Sequence, residues 1–135
     1  MYMTTISGIT KNLSISDLKI KNGKVYVNTD VLNGNPGILL LYGNFCGHCH
    51  KFIPTYQGLS QKLNKNSTNF ACLAIESGDL DKNQEITAAL DFQGFPTMKF
   101  VDQYGKVLGD YNGSRDMTAL QDTICKVYHH CILDH

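Results

Sequence analysis

Tryptophan is absent from the 135 residues, proline occurs only three times, and the 12 lysines and arginines equal the 12 aspartates and glutamates in number. This balance provides no long-range field that would attract nucleic acid or an anionic membrane. No apolar run is long enough for a membrane span or a signal-peptide core, and no terminal retention signal is present. We therefore expect no nucleic-acid or membrane partner, and a cytoplasmic location by default.

Cysteine is moderately frequent, but the five cysteines are an odd number and too sparse for a secreted disulfide scaffold. Cysteine chemistry is the better explanation for them. The length suits one domain, and we find no internal repeat or linker that would separate two folding units. We predict one domain at 18–131, preceded by a poorly patterned extension at 1–17 and followed by a polar tail at 132–135.

Two apolar runs predict buried strands, at 38–42 and at 70–75. Between them, helical spacing of apolar residues begins at Cys46 and continues to about residue 64, with Pro54 interrupting the backbone hydrogen bonding. A further helix is predicted at 81–91, with Asp81 as a possible N-cap. Hairpins are predicted at 18–27, around Asn22-Gly23, and at 97–111.

The last helix should place one apolar face on the core, formed by Met117, Leu120, Ile124, Val127 and Cys131. The complete order alternates strands and helices and ends in a hairpin and a helix. That order predicts an α/β fold in which a central mixed sheet is covered by helices on both faces.

The C-x-x-C sequence Cys46-Gly47-His48-Cys49 lies at the junction between a buried strand and a helix. The first free amides and the positive end of the helix dipole favour an anion there, and a thiolate is such an anion. We expect Cys46 to attack a target disulfide and Cys49 to resolve the mixed disulfide. His48 would stabilise the reduced form, which favours an oxidant or isomerase.

This motif resembles the active site of catalytic protein disulfide isomerase domains in the thioredoxin superfamily, and Pro54 follows at the family's helix-kink spacing. Gly94-Phe95-Pro96-Thr97 is similar to the family's cis-proline loop, and Tyr111-x-Gly113-x-Arg115 also matches. The resemblance extends from about residue 38 to about residue 127.

The resemblance implies a thioredoxin-like fold and a redox-active disulfide between Cys46 and Cys49. It also implies a cis bond before Pro96, with Phe45, Phe95 and Pro96 contacting the substrate. The expected function is thiol–disulfide exchange with cysteine-containing protein substrates and a redox-regenerating partner, by a monomer without metal or cofactor.

The sequence departs from the family at three positions. Phe45 replaces the usual tryptophan before the first cysteine. Leu40 stands where the family has a buried acid that accepts the proton of the second cysteine, and Ala74 stands at the lysine that pairs with that acid. Without the acid, we expect slow deprotonation of Cys49 unless His50, Glu76 or water replaces it.

Several alternatives stay open. A reductase acting in a reducing compartment is one alternative, because no signal peptide or retention signal is seen. A binding or assembly module with weak exchange activity is another, and the missing acid at Leu40 motivates it. Cys46, Cys49 and His50 also satisfy the C-x-x-C-H pattern of haem attachment. Zinc binding would combine the two cysteines with His129, His130, Cys131 and His135. Cys72 and Cys125 are expected to be core residues, and Cys131 is a candidate for an intermolecular disulfide.

Overall fold

The computed structural model describes residues 10–65 and 70–128. The strands are β1 (Lys11–Leu13), β2 (Leu18–Lys21), β3 (Lys24–Val27), β4 (Gly37–Tyr42), β5 (Ala71–Glu76), β6 (Thr97–Val101) and β7 (Val107–Asp110). The α-helices are α1 (Gly47–Lys65), α2 (Ser77–Leu80), α3 (Gln84–Leu90) and α4 (Met117–Tyr128), and short 3-10 turns occur at Ile15–Asp17 and Thr29–Val31. None of the described helices combines the length and apolar character needed to cross a membrane.

A five-stranded mixed sheet forms the centre of the fold, in the order β1-β5-β4-β6-β7. The central strand β4 pairs with β5 in parallel and with β6 in antiparallel orientation. All six residues of β4 are buried, which explains its continuous apolar sequence. The strands predicted at 38–42 and 70–75 are therefore confirmed.

Helices cover both faces of this sheet, as predicted. On one face, Ile38, Leu40 and Tyr42 pack in a cluster with residues of α1 and α4. On the other face, Leu39 and Leu41 pack with α2, α3 and the β2–β3 hairpin. Successive side chains of a strand point to opposite faces, so the even-numbered residues of β4 belong to one cluster and the odd-numbered leucines to the other.

The β2–β3 hairpin forms where the sequence predicted it. Its two turn residues, Asn22 and Gly23, have φ angles of 54° and 76°, a left-handed conformation that asparagine and glycine tolerate best. The 97–111 hairpin is also present as β6 and β7, with an irregular register between Lys99 and Val101.

The extension predicted at 1–17 requires correction from residue 10 onward. Lys11–Leu13 form the edge strand β1, which pairs in parallel with β5, and the hydroxyl of the buried Thr10 lies 2.5 Å from that of Ser60. Only Leu13 of the three strand residues is buried, so no apolar alternation marked this strand. Residues 1–9 and the predicted tail at 132–135 lie outside the described residues.

The helix predicted at 81–91 is present as α3, which begins three residues later, at Gln84, and the separate short helix α2 precedes it at Ser77–Leu80. The Asn83 side chain accepts a hydrogen bond from the Ile86 amide at 3.0 Å, so Asn83 is the N-cap of α3 and the prediction of Asp81 is wrong. Asp81 instead ends α2. Asp91, with a φ of 53°, ends α3 in the left-handed conformation.

In α4, Leu120 and Ile124 are buried as predicted, whereas Val127 is 50% exposed. Cys72 is a buried free thiol, which confirms its prediction as a core residue. The corresponding prediction for Cys125 is wrong, because this half-buried residue is held in a disulfide. Cys131 lies outside the described residues.

Candidate active site

The two cysteines of the C-x-x-C sequence lie where β4 leads into α1. The buried strand ends at Tyr42, a short loop follows, and the helix begins at Gly47. Cys46 therefore precedes the first helical residue and is half-buried, whereas Cys49 lies in the first turn with no exposed surface. Both are free thiols, so the structure shows the dithiol form of the pair.

The sulfur of Cys46 lies between a donor and an acceptor. The Cys49 amide donates to Cys46 Sγ at 3.3 Å, and the thiol faces the Phe95 carbonyl oxygen at 3.5 Å. A backbone amide of the first helical turn directed at a sulfur is the geometry that stabilises a thiolate. The half-exposed Cys46 thus has the surroundings of a nucleophile.

The loop before β6 supplies the other side of this site. The Phe95–Pro96 peptide bond is cis, Pro96 is buried, and the Phe95 carbonyl faces Cys46. Phe45 is 78% exposed, and its ring meets that of Phe95 edge to face at a centroid distance of 6.1 Å. The predicted substrate-contact residues therefore lie together beside Cys46.

One aromatic residue of this surface was missed by sequence reasoning. The ring of Phe92 lies 5.3 Å from that of Phe95, and Phe92 is half-buried against the core cluster that contains Leu39 and Leu41. Phe92 lies in the loop between α3 and β6, where no periodic pattern distinguishes it. Gly47 and His48, both predicted site residues, are exposed between the two cysteines.

Cys49 has apolar surroundings. Burial raises its pKa from 9.0 to about 12, and the hydrogen bond with Cys46 acts in the same direction. The amide of Gly43, which donates to Cys49 Sγ at 3.5 Å, and the positive charge of Arg115 lower this pKa in part. Cys49 is thus protonated at neutral pH.

The structure places Leu40 and Ala74 directly beside each other. They are paired in the parallel register of β4 and β5, and both are fully buried. They belong to the same core cluster as Cys49, on the face of the sheet that α1 covers. The position of the family's acid and the position of its lysine are thus adjacent and apolar.

His50 and Glu76, considered above as replacements for the acid, both contact Asn44. Nε2 of His50 lies 2.5 Å from the Asn44 carbonyl oxygen, and Oε2 of Glu76 accepts from the Asn44 amide at 3.1 Å. Glu76 also accepts from Ser77 Oγ at 2.9 Å and from the Gly78 amide at 2.7 Å. Its carboxylate is therefore committed to the loop and to the start of α2.

Within the described residues, no group of three or more histidine, cysteine, aspartate or glutamate side chains is arranged to hold a metal ion. The histidines and cysteine of the zinc hypothesis, His129, His130, Cys131 and His135, lie outside those residues.

Comparison with known proteins relates this geometry to one family. Residues 19–126 match the thioredoxin family model. A protein disulfide-isomerase of Hordeum vulgare is 30% identical over 98 residues, which are 72% of this chain and 19% of that protein. A mitochondrial thioredoxin domain-containing protein of Schizosaccharomyces pombe is 33% identical over 109 residues, which are 78% of this chain and 28% of that protein.

Among solved structures, the first thioredoxin domain of mouse protein disulfide-isomerase A4 is similar, with a TM-score of 0.57 and 26% identity. The match covers 83% of this chain and 78% of that domain. The chain spans less than a third of the length of the two curated relatives.

Proposed function

The chain belongs to the thioredoxin family, and from this premise we propose that it exchanges disulfides with cysteine-containing protein substrates through Cys46 and Cys49. Membership and the similarity to disulfide isomerases identify a thiol–disulfide oxidoreductase in general terms. The specific activity rests on one observation, the half-exposed Cys46 sulfur between the Cys49 amide and the Phe95 carbonyl.

In the proposed reduction of a substrate, the Cys46 thiolate attacks one sulfur of the substrate disulfide. A Cys46–substrate mixed disulfide forms, and the other substrate sulfur leaves as a thiolate. Cys49 then loses its proton to water and attacks Cys46 Sγ, which releases the second substrate thiolate and forms the Cys46–Cys49 disulfide. The substrate gains two electrons and the dithiol loses two, and oxidation of a substrate follows the same steps in reverse.

The surroundings of Cys46 suit an extended polypeptide substrate. The Phe95 backbone beside Cys46 would pair with the substrate as a strand does, and the exposed ring of Phe45, with the half-buried ring of Phe95 against it, would contact side chains beside the substrate cysteine. His48, which is exposed between the cysteines, would favour the reduced form of the pair and so favour oxidation or isomerisation of the substrate. We propose a monomer that needs no cofactor and is regenerated by a second redox protein.

The test is to trap the mixed disulfide. A Cys49→Ser variant incubated with a disulfide-containing peptide should accumulate a covalent adduct at Cys46, detected by mass and lost on reduction. Cys46→Ser is the matched control and should form none. Absence of the adduct, together with no oxidation or reduction of the peptide by the wild-type protein, contradicts the proposal. Equilibration with glutathione buffers then gives the reduction potential, which separates an oxidant or isomerase from a reductase.

A second function, binding or assembly with weak exchange, is favoured by the apolar pair Leu40 and Ala74 beside a Cys49 whose pKa is about 12. In that case the adduct forms but is resolved too slowly for turnover. The observation that distinguishes the two is the rate at which the wild-type mixed disulfide disappears.

A further inference from the structure

The backbone of Gly43 contacts both cysteines. Its amide donates to Cys49 Sγ at 3.5 Å, and its carbonyl accepts from the Cys46 amide at 3.1 Å. Gly43 is buried and lies in the loop between β4 and α1, outside both elements. The Gly43 N–H belongs to the peptide group shared with Tyr42, so its direction depends on the end of β4 and on what holds the loop that follows.

Two side chains from different elements hold the next residue, Asn44, by its backbone. Nε2 of His50, from α1, contacts the Asn44 carbonyl oxygen at 2.5 Å. Because a carbonyl oxygen only accepts, Nε2 carries the hydrogen. Oε2 of Glu76, from the end of β5, accepts from the Asn44 amide at 3.1 Å. We call His50 and Glu76 the clamp.

Glu76 thus holds the peptide group between Gly43 and Asn44 by the Asn44 N–H, and His50 holds the next peptide group by the Asn44 carbonyl oxygen. Rotation of this segment would turn the Gly43 amide away from Cys49 Sγ. A hydrogen bond from an amide to a buried thiolate is strengthened by the low local dielectric, so a small change in its direction has a measurable effect.

We propose that His50 is a positioning residue for the resolving cysteine, because its hold on the Asn44 carbonyl keeps the Gly43 amide directed at Cys49 Sγ. In this chain, where Leu40 and Ala74 replace a buried charged pair, the clamp supports the Cys49 thiolate through a backbone donor. It does not itself accept the proton, which passes to water. The inference rests on the proposed exchange function, since it concerns the second step of that reaction.

The step affected is the attack of the Cys49 thiolate on Cys46 Sγ of the mixed disulfide. The bond from Cys46 to the substrate breaks, and the substrate sulfur leaves as a thiolate. Other titratable groups act on Cys49 from the elements packed around it, namely Cys46, Tyr42 at the end of β4 and Arg115 before α4. None of these three groups belongs to the clamp, and a change at position 50 removes none of their charges.

The experiment measures the two steps separately in the full chain. The probe is a peptide disulfide that carries a fluorophore on each half. Release of the first half reports attack by Cys46, and release of the second reports resolution by Cys49. In His50→Ala, resolution at pH 7 to 8 should slow by about tenfold, as expected for loss of a hydrogen bond to a charged group, with its pH profile moved to higher pH. Attack should change by less than about twofold.

Two further variants serve as controls. His50→Gln retains an N–H donor on a side chain of similar reach and should restore most of the rate that is lost in His50→Ala. Lys51→Ala removes the neighbouring exposed side chain of the same helix and should leave both steps unchanged. Melting curves of the variants establish that each is folded.

The position of the Gly43 amide is read directly by its nitrogen–proton resonance. Replacing Cys49 by serine should shift that resonance in the wild-type background. The same replacement in the His50→Ala background should shift it far less. Normal attack with unchanged resolution in His50→Ala overturns the inference and leaves the exchange function intact. Loss of attack by wild-type Cys46 contradicts the exchange function itself.

Discussion

Leu40 offers the sharpest test of how Cys49 loses its proton. A pKa of about 12 leaves roughly one Cys49 in 10^5 as thiolate at pH 7, against roughly one in 10^2 for a thiol at the ordinary value of 9.0. A base placed beside the thiol would remove much of this limitation. Leu40→Glu places a carboxyl group in the core cluster that contains Cys49.

The cost to stability follows from the burial of the site. Leu40 is fully buried, so its replacement loses the contacts of a core leucine and adds a buried polar group, which together cost about 3 to 5 kcal/mol. Ala74 is the parallel neighbour at about 4.8 Å strand spacing, so Ala74→Lys in the same chain supplies a partner. We expect the double variant to recover at least half of the stability that Leu40→Glu loses, because the buried charge is then paired.

The rate of resolution should rise from the wild type to Leu40→Glu, and rise further in the double variant. A general base contributes about 10^2 to 10^4 to a rate, but a lone carboxyl in an apolar site is largely protonated at pH 7. We therefore expect about a tenfold gain below pH 8 in Leu40→Glu and a larger gain in the double variant, where the ammonium keeps the carboxylate ionised. The assay follows decay of the Cys46 mixed disulfide from pH 5 to 10, without denaturant and at a temperature well below each variant's Tm.

Two control variants separate the effect of an added base from the effect of burying a polar group in the core. Leu40→Gln has nearly the same shape and polarity without a basic oxygen, and Leu39→Glu buries a carboxyl group on the opposite face of the sheet, in the other core cluster. Both should lose stability without accelerating resolution. A folded Leu40→Glu variant whose pH profile coincides with those of the wild type and Leu40→Gln would refute the reasoning.

Three other predictions concern stability. Asn83→Ala should cost about 1 kcal/mol through loss of the α3 cap, whereas Asp81→Ala should be nearly neutral; chemical denaturation compares them, and equal losses contradict the cap assignment. Lys99 is buried and ion-paired with Asp110, so Asp110→Asn, which leaves the ammonium group unpaired, should cost about 2 kcal/mol of stability and Lys99→Met less. A larger loss in Lys99→Met, measured in the same way, contradicts this prediction. Burial raises the pKa of the Cys72 thiol to about 12, so the folded state holds a proton that the unfolded chain releases near pH 9. The contribution of this thiol to the free energy of unfolding is complete below pH 9 and is lost between pH 9 and 12 at about 1.4 kcal/mol per pH unit. Cys72→Ala should make the free energy of unfolding fall less steeply over this pH range, and an unchanged slope contradicts the prediction.

The proposed clamp and the Leu40 experiment address the same thiol by different routes. His50 acts through the direction of an amide that stabilises the thiolate, whereas a carboxyl group at position 40 takes the proton. The two effects should therefore combine, with His50→Ala slowing resolution in the presence of Leu40→Glu as well. Their free energies should be nearly additive if the two side chains act on Cys49 independently.

The central strand, the long first helix and the position of the cysteine pair were all predictable from sequence. Each depends on local information, such as the unbroken apolar run before Tyr42 or the helical spacing that continues from Phe52 to Leu63. The motif around Cys46 carried its own chemical meaning, because two cysteines at this spacing before a helix suit disulfide exchange. Residues close in sequence create these signals whatever the rest of the chain does.

Other features were decided only by the tertiary structure. Lys11–Leu13 became a strand because β5 offered an edge, and Asn83 became a cap because the chain turned after α2. The strand depends on long-range pairing, which overrides weak local preference, and the cap depends on where the preceding short helix ends.

The same distinction applies to the cysteine pair. Its residues and their order were readable from the sequence, and so was the absence of an acid at position 40. His50 of α1 and Glu76 of β5 both contact Asn44 in the loop before α1, and Glu76 is distant in sequence from the other two residues. Only the packing of the strand ends against the helix start brings those groups within hydrogen-bond distance, and this packing directs the Gly43 amide at Cys49.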